Sequence, residues 1–496
     1  MKRDLLDRRC FDSLIRTDSV GTAERWLGYF LGPFSVVLMN SILNNYLNVY
    51  YTDVAGLGEL WDGWFLSVFP IAVKLLDALT FVLMGVVVDR FSSRQGKARP
   101  WIFFSAPLLS VSMILLFAVP SGHSLAAALW IFFSYNLFYS VAYTAYNTSH
   151  TLMVPLSTRN AAQRSRLSVM TNAQGMLSGT IVAVLFPAFF VPFMGVDQKK
   201  WIMVMTIIAL GALPFILMEY YFTRERVTEQ SRAETLAPSS VLSQEQTPSR
   251  TLAERNTNNG RAEKQSLKAQ LQLCLRSRRW TALMLYLTLS QLTACLSQSA
   301  VFYYCNWVLG SYNDGHTQAL YYVVGSFALG PGLLLCRPVC RRLGRENAMA
   351  GGFLLAAAGT VLCLWNPKSL FPVLAGQIIR SIGVIPSTYM ITAMLADALD
   401  DVEEKTGLRC DGFSSSVYNI IFTLTGGLAL CILNFGLMRC GYEAPLADKI
   451  PVQNSAVQSF LVFAAIGCQT LAYPVLAALL QWSKRGSKST DTKIPE

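Results

Sequence analysis

The chain has 496 residues, of which 53% are hydrophobic and only 14% charged, whereas a soluble domain carries about 25% charged residues. That balance excludes an ordinary soluble enzyme and points to a protein that crosses the lipid bilayer many times. The net charge of +11 fits the basic cytoplasmic loops of such a protein, with no nucleic-acid partner.

The first 25 residues are polar and basic and lack the apolar core of a cleavable signal peptide. Apolar runs able to span a bilayer, which takes about 20 residues, follow at 27–52, 61–88, 101–120, 125–155, 168–195 and 201–222. The composition then changes. From Thr223 the chain reads TRERVTEQSRAETLAPSSVLSQEQ, polar and almost free of aromatics, which predicts a flexible linker. Its end, RAEKQSLKAQLQLCLRSRRW, has helical spacing suited to a membrane surface. Six more apolar runs follow at 279–309, 318–338, 346–365, 369–397, 412–438 and 455–482.

The expected fold class is therefore an all-α membrane protein of twelve transmembrane helices in two six-helix bundles. The expected organisation is a cytoplasmic segment 1–26, a bundle 27–222, a cytoplasmic linker 223–276, a second bundle 277–482 and a cytoplasmic tail 483–496. With the N-terminus inside, Lys199, Lys200, Lys368, Arg439 and Lys449 fall in outer loops and Lys74 and Arg380 within spans. Setting aside those five and two leaves 34 of the 41 lysines and arginines on the cytoplasmic side, a strong orienting bias. Both termini are expected inside the cell, with the protein in the cell membrane as a monomer.

Six helices, a linker and six helices is the layout of many secondary transporters, whose sites lie near the bilayer midplane. Enzyme chemistry has no supporting constellation. There is no phosphate-binding G-x-x-x-x-G-K-[ST] loop. The three histidines, His123, His150 and His316, lie on different segments, and the eleven cysteines include no C-x-x-C pair. No cofactor and no metal are expected.

Charges inside spans cost about 2.5–3.5 kcal/mol each and are kept for pairing or function. Lys74 and Asp77 are spaced i, i+3 and share one helix face. Asn40, Asn44 and Asn48 make a polar stripe on the first helix, which lines a cavity or bonds to a neighbouring helix. Gln291, Gln298 and Asn306 accompany Tyr303, Tyr304 and Trp307, a mixture that suits a sugar ring and equally a membrane-interface belt. Arg380 either pairs with Asp77 or clamps an anionic substrate. His150 carries a proton or serves packing.

Three stretches carry a resemblance. DALT at 77–80 with MGVVVDRFSSRQGKARPW at 84–101, MLADALDDVEEKTGLRCDGFSSSVY at 394–418, and YYTDVAGL at 50–57 are similar to the glycoside–pentoside–hexuronide cation symporters. These form the melibiose-permease branch of the major facilitator superfamily. The resemblance covers nearly the whole chain. It implies two-bundle alternating access and places Asp77 at a cation ligand and Thr144 at the cation-site threonine. A second family carboxylate, four residues beyond Asp77, is Phe81 here. Val37 and Asn147 stand at sugar-binding aspartates, Asn172 at a sugar-clamping arginine, and Thr423 at a lysine, with Asn419 at a polar substrate position. Asp89, Arg90, Arg94, Lys97 and Arg99 match the family's cytoplasmic loop, which is either a latch between helix ends or a positive-inside anchor.

These readings combine into a symporter of small polar organic solutes, sugars or glycosides foremost. Asn44, Tyr143, Asn147, Asn172, Thr388 and Asn419 are expected at the substrate. Asp77, Lys74 and Thr144 are expected at the coupling ion, H+ rather than Na+, because one carboxylate carries one proton whereas a sodium cage wants several oxygens. The alternatives are a carrier of an amphipathic or non-sugar solute without Na+ coupling, and a transport-inactive sensor or scaffold.

Overall fold

The computed structural model describes residues 11–228 and 267–484, apart from 62, 92, 94, 121–124, 311, 328–337, 341, 407–410 and 447–448. The first ten residues, linker positions 229–266 and the tail from 485, on which part of the expected organisation rests, lie outside the described residues. All the long elements are helices: α1 (Glu24–Val54), α2 (Trp64–Arg90), α3 (Arg99–Phe117), α4 (Leu125–Ser157), α5 (Ala162–Met194) and α6 (Gln198–Thr228). After these come α7 (Leu267–Arg276), α8 (Arg278–Tyr304, with a π turn on to Leu309), α9 (Gly315–Phe327), α10 (Arg345–Trp365), α11 (Leu370–Thr406), α12 (Asp411–Cys440) and α13 (Ser455–Ser483).

Among the described residues, ten helices are long and apolar enough to cross a membrane. Two of the twelve expected spans fall outside that set for local reasons. α8 has 27 residues, but Thr281, Thr288, Ser290, Gln291, Thr293, Ser297, Gln298 and Ser299 dilute its apolar character. α9 is described only as far as Phe327.

Helices α1–α6 form an N-terminal unit and α7–α13 a C-terminal unit. In the first, α3 packs on α6 and α4, α1 on α5 and α6, and α2 on α4. Small residues set the spacing. A methyl group at Gly32 on α1 would lie 2.5 Å from Glu219 Cβ on α6, so the two backbones meet as only glycine allows. In the second unit α10 packs along α11 and α13, and α8 along α12 and α13. There a methyl at Gly359 would sit 2.6 Å from the Arg380 amide nitrogen.

Several spans contain π turns, where one extra residue widens the helix: Tyr50–Val54 in α1, Leu137–Tyr143 in α4, Phe186–Phe190 in α5 and Phe463–Gly467 in α13. Such turns frequently mark functional positions. The one in α4 faces α2 at Asp77.

Candidate functional site

The i, i+3 spacing brings Lys74 Nζ to 3.1 Å from Asp77 Oδ2. The other carboxylate oxygen, Oδ1, accepts a 2.6 Å hydrogen bond from Ser140 Oγ on α4. The Lys74 ammonium also lies 4.5 Å from the centre of the Tyr139 ring and 5.7 Å from that of Tyr135, within the reach of cation–π attraction. Tyr139 in turn donates to Asn44 Oδ1 at 3.5 Å. Asp77 is buried, and both of its oxygens are engaged.

The π turn at Leu137–Tyr143 produces this arrangement. Thr144 Oγ1 donates at 2.8 Å to the Tyr139 carbonyl, five residues back, and so fills the widened turn. Ser140, rather than the expected Thr144, is therefore the α4 residue at the carboxylate. Sequence spacing gave no signal for Ser140, because a π turn shifts the face that a helix presents. Phe81, at the family's second carboxylate, is 43% exposed and supplies no oxygen.

The candidate substrate residues divide into those with committed polar groups and those without. Thr388 Oγ1 donates to its own helix at Val384, 3.2 Å. Tyr143 sits over Phe138 with parallel rings 6.2 Å apart. The side-chain amides of Asn147, Asn172 and Asn419 make no hydrogen bond among the described residues, and Asn172 and Asn419 are exposed. On α8, Tyr304 donates to the Pro367 carbonyl at 2.6 Å and Trp307 to the Tyr442 hydroxyl at 3.1 Å. Tyr304 and Trp307, which suit a sugar ring and a membrane-interface belt alike, are thus tied into packing at the helix end.

The basic loop after α2 is built into its own unit. Glu225 accepts from the backbone amides of Lys97, Ala98 and Arg99 at 3.0, 2.8 and 2.8 Å, an acid at a helix N-terminus. Arg99 is buried, donates twice to the Tyr220 carbonyl at 3.3 and 3.0 Å, and stacks on the Tyr220 ring. Arg226 pairs with buried Glu24 at 2.7 Å. Thr223, Glu225 and Arg226 are buried, so the chain just past residue 222 belongs physically to the N-terminal unit. Arg90 is exposed. Arg94 and the Asp89 side chain lie outside the described residues.

A further group was visible in the sequence only as one acid in an apolar run. Glu219 on α6 is fully buried. Its oxygens meet His150 Nδ1 at 2.7 Å and the Tyr146 hydroxyl, both from α4. His150 is thereby placed in a buried polar cluster inside the N-terminal unit.

In the C-terminal unit Arg380 pairs with no acid among the described residues. Its guanidinium donates from Nε to Gln377 Oε1 at 2.7 Å and from Nη1 to Gln469 Oε1 at 2.8 Å.

A paired lysine and aspartate inside a span, amides left free on other spans, and two helical units are features of a carrier. The model of the MFS/sugar transport protein family matches residues 28–248 and 237–482. The chain belongs to that family. It is a multi-pass secondary active transporter and not an enzyme. It is 25% identical over 463 residues, 92% of this chain and 88% of the relative, to an isoprimeverose transporter of Lactiplantibacillus pentosus. It is 26% identical, over 82% of this chain and 81% of the relative, to a glucuronide carrier protein homologue of Escherichia coli. In fold it is similar to a bacterial homologue of human drug peptide transporters, at 13% identity with a TM-score of 0.57, covering 94% and 97% of the two chains.

Proposed function

We propose that this transporter carries small polar organic solutes, sugars and glycosides foremost, across the cell membrane by alternating access, with Asp77 as the proton-carrying group. The observation that carries the reading is the buried Asp77 of the α2 span, held by half-buried Lys74 and by Ser140 of α4. A carboxylate kept there at the cost of burial is retained for pairing or for coupling. The relatives named as an isoprimeverose transporter and a glucuronide carrier homologue support a sugar-like solute, and a relative of Escherichia coli named as a putative glycoside/cation symporter supports a coupling cation. The free amides of Asn147, Asn172 and Asn419 suit hydroxyl-rich solutes, since each offers two donors and an acceptor. Asn44, Tyr143 and Thr388 complete this substrate assignment.

Proton coupling is favoured over sodium coupling because hard cations seek a shell of several oxygens. Asp77 has both oxygens occupied, and Phe81 replaces the second carboxylate. In this reading 27–222, with the buried stretch to Arg226, and 277–482 are the two moving bundles, joined by a cytoplasmic linker in the remainder of 223–276. Both termini face the cytoplasm, the chain works as a monomer, and the loop from Asp89 to Arg99 steadies the cytoplasmic face.

One observation favours a second reading. The Lys74 ammonium, 3.1 Å from Asp77, stands where a coupling cation would bind, so the pair could neutralise itself in every cycle and leave an uncoupled carrier. Purified protein in liposomes separates the two with labelled methyl β-D-xyloside and methyl β-D-glucoside. Proton coupling predicts accumulation driven by a pH gradient and none by a Na+ gradient. An uncoupled carrier predicts equilibration under any gradient. Absence of movement of either glycoside overturns the glycoside assignment.

A further inference from the structure

In the N-terminal unit three deep polar groups are paired: Lys74 with Asp77, Glu219 with His150, Arg226 with Glu24. Arg380 departs from that pattern. Its span runs Leu370–Ile391, so it lies ten residues in, about 15 Å along the helix at 1.5 Å per residue. That is half of a hydrocarbon core of about 30 Å, too deep for a lipid headgroup. The ionisable side chains near it among the described residues include Tyr473, Tyr321 and Cys363, two hydroxyls and a thiol.

Among the described residues the guanidinium is held in place by amides and not by an acid. Gln377 and Gln469 accept from Nε and Nη1. Gln377 is fixed at its other end by the Tyr321 hydroxyl. Gln469 also accepts from Tyr473 at 3.2 Å. The tight approach of α10 at Gly359 fixes the backbone under Arg380. A guanidinium has five N–H donors. The two amides take two, and the rest of the fork has the Tyr473 hydroxyl beside it. The residue as a whole is half-buried.

A planar fork held rigid, with no acid paired to it among the described residues, is the arrangement that takes an oxyanion in two parallel hydrogen bonds. We propose that Arg380, oriented by Gln377 and Gln469, is an oxyanion site in the C-terminal unit, and that it takes the carboxylate or sulfonate of an anionic solute. The inference rests on the glycoside reading only for the rest of the solute.

Two probes test it by binding to purified protein: 4-nitrophenyl β-D-glucuronide and its neutral counterpart 4-nitrophenyl β-D-glucopyranoside. The readout is the ratio of their dissociation constants, which cancels any loss of folded protein. The variants are Arg380→Gln, which removes the charge, and Gln469→Glu, which supplies an internal carboxylate to the guanidinium. Wild type is expected to prefer the glucuronide, and both variants to lower that preference about tenfold or more. A ratio unchanged in both variants overturns the proposal. A second arm is independent of any glycoside: protection of the solubilised protein against heat by sulfate, with chloride at equal ionic strength as the control. Sulfate is expected to protect wild type and neither variant. Equal protection of all three, or of none, overturns the site. If neither glycoside binds while sulfate still protects wild type alone, the glycoside reading falls and the oxyanion site stands.

Discussion

Replacing Asp77 by asparagine decides whether the Lys74–Asp77 pair couples transport or only ties α2 to α4. Two unit charges 3.1 Å apart attract by about 5 kcal/mol at an effective dielectric constant of about 20. The side chains are only 18% and 11% exposed, so water screens little of this, while desolvation offsets part of it. Removing one partner of such a pair then costs about 3 kcal/mol, because the other charge is left unpaired. Asparagine keeps an oxygen for Ser140, which now bonds at 2.6 Å, so the loss falls on the charge opposite Lys74. Asp77→Asn and Lys74→Met should each lower the melting temperature of solubilised protein. The double variant should regain most of it, since neither charge remains. Transport should behave differently. In liposomes Asp77→Asn should lose uphill accumulation and keep exchange of labelled for unlabelled solute, because exchange needs no net proton movement. The double variant should also exchange without accumulating. If the double variant accumulates solute as wild type does, the pair is a strut and the coupling assignment is refuted.

Four further outcomes are expected. Asn147→Ala and Asn172→Ala should weaken glycoside binding by up to about tenfold, the worth of one hydrogen bond of roughly 0.5–1.5 kcal/mol, with little loss of protein from the membrane; unchanged affinity in both would make them packing residues. Gly32→Ala places a methyl 2.5 Å from Glu219 Cβ and should destabilise the N-terminal unit by about 1–3 kcal/mol through overpacking, read as a lower melting temperature. Glu225→Ala strips three backbone amides of their acceptor and should cost about 1–3 kcal/mol; melting unchanged by scanning fluorimetry would show that water replaces the cap. Reporter fusions after Gln198 and Gly315 should read as outside, and after Gln95 and Asn160 as inside; the reverse pattern overturns the orientation drawn from the basic residues.

Much of the architecture was legible because it is local. A run of about 20 apolar residues forms a span whatever its neighbours are, so the ten described spans fall on runs visible in the sequence. The Lys74–Asp77 pair follows from i, i+3 spacing on one helix. The family motifs are contiguous and needed no structure to be seen. What the sequence could not supply is which faces of distant helices meet. Ser140 reaches Asp77 across 63 positions from within a π turn of α4. Glu219 meets His150 across 69 positions and Arg226 meets Glu24 across 202. Glu225 reads as the start of a polar linker, yet it folds back to cap α3. Arg380 left a choice between a carboxylate and an anionic solute, and in the C-terminal unit its partners are two amides 3 and 89 positions away. Hydrophobicity sets where a helix lies because each residue contributes independently of the others. Polar pairing within the bilayer depends on helix rotation and close approach, set by π turns and by glycines such as Gly32 and Gly359, and those are properties of the packed bundle.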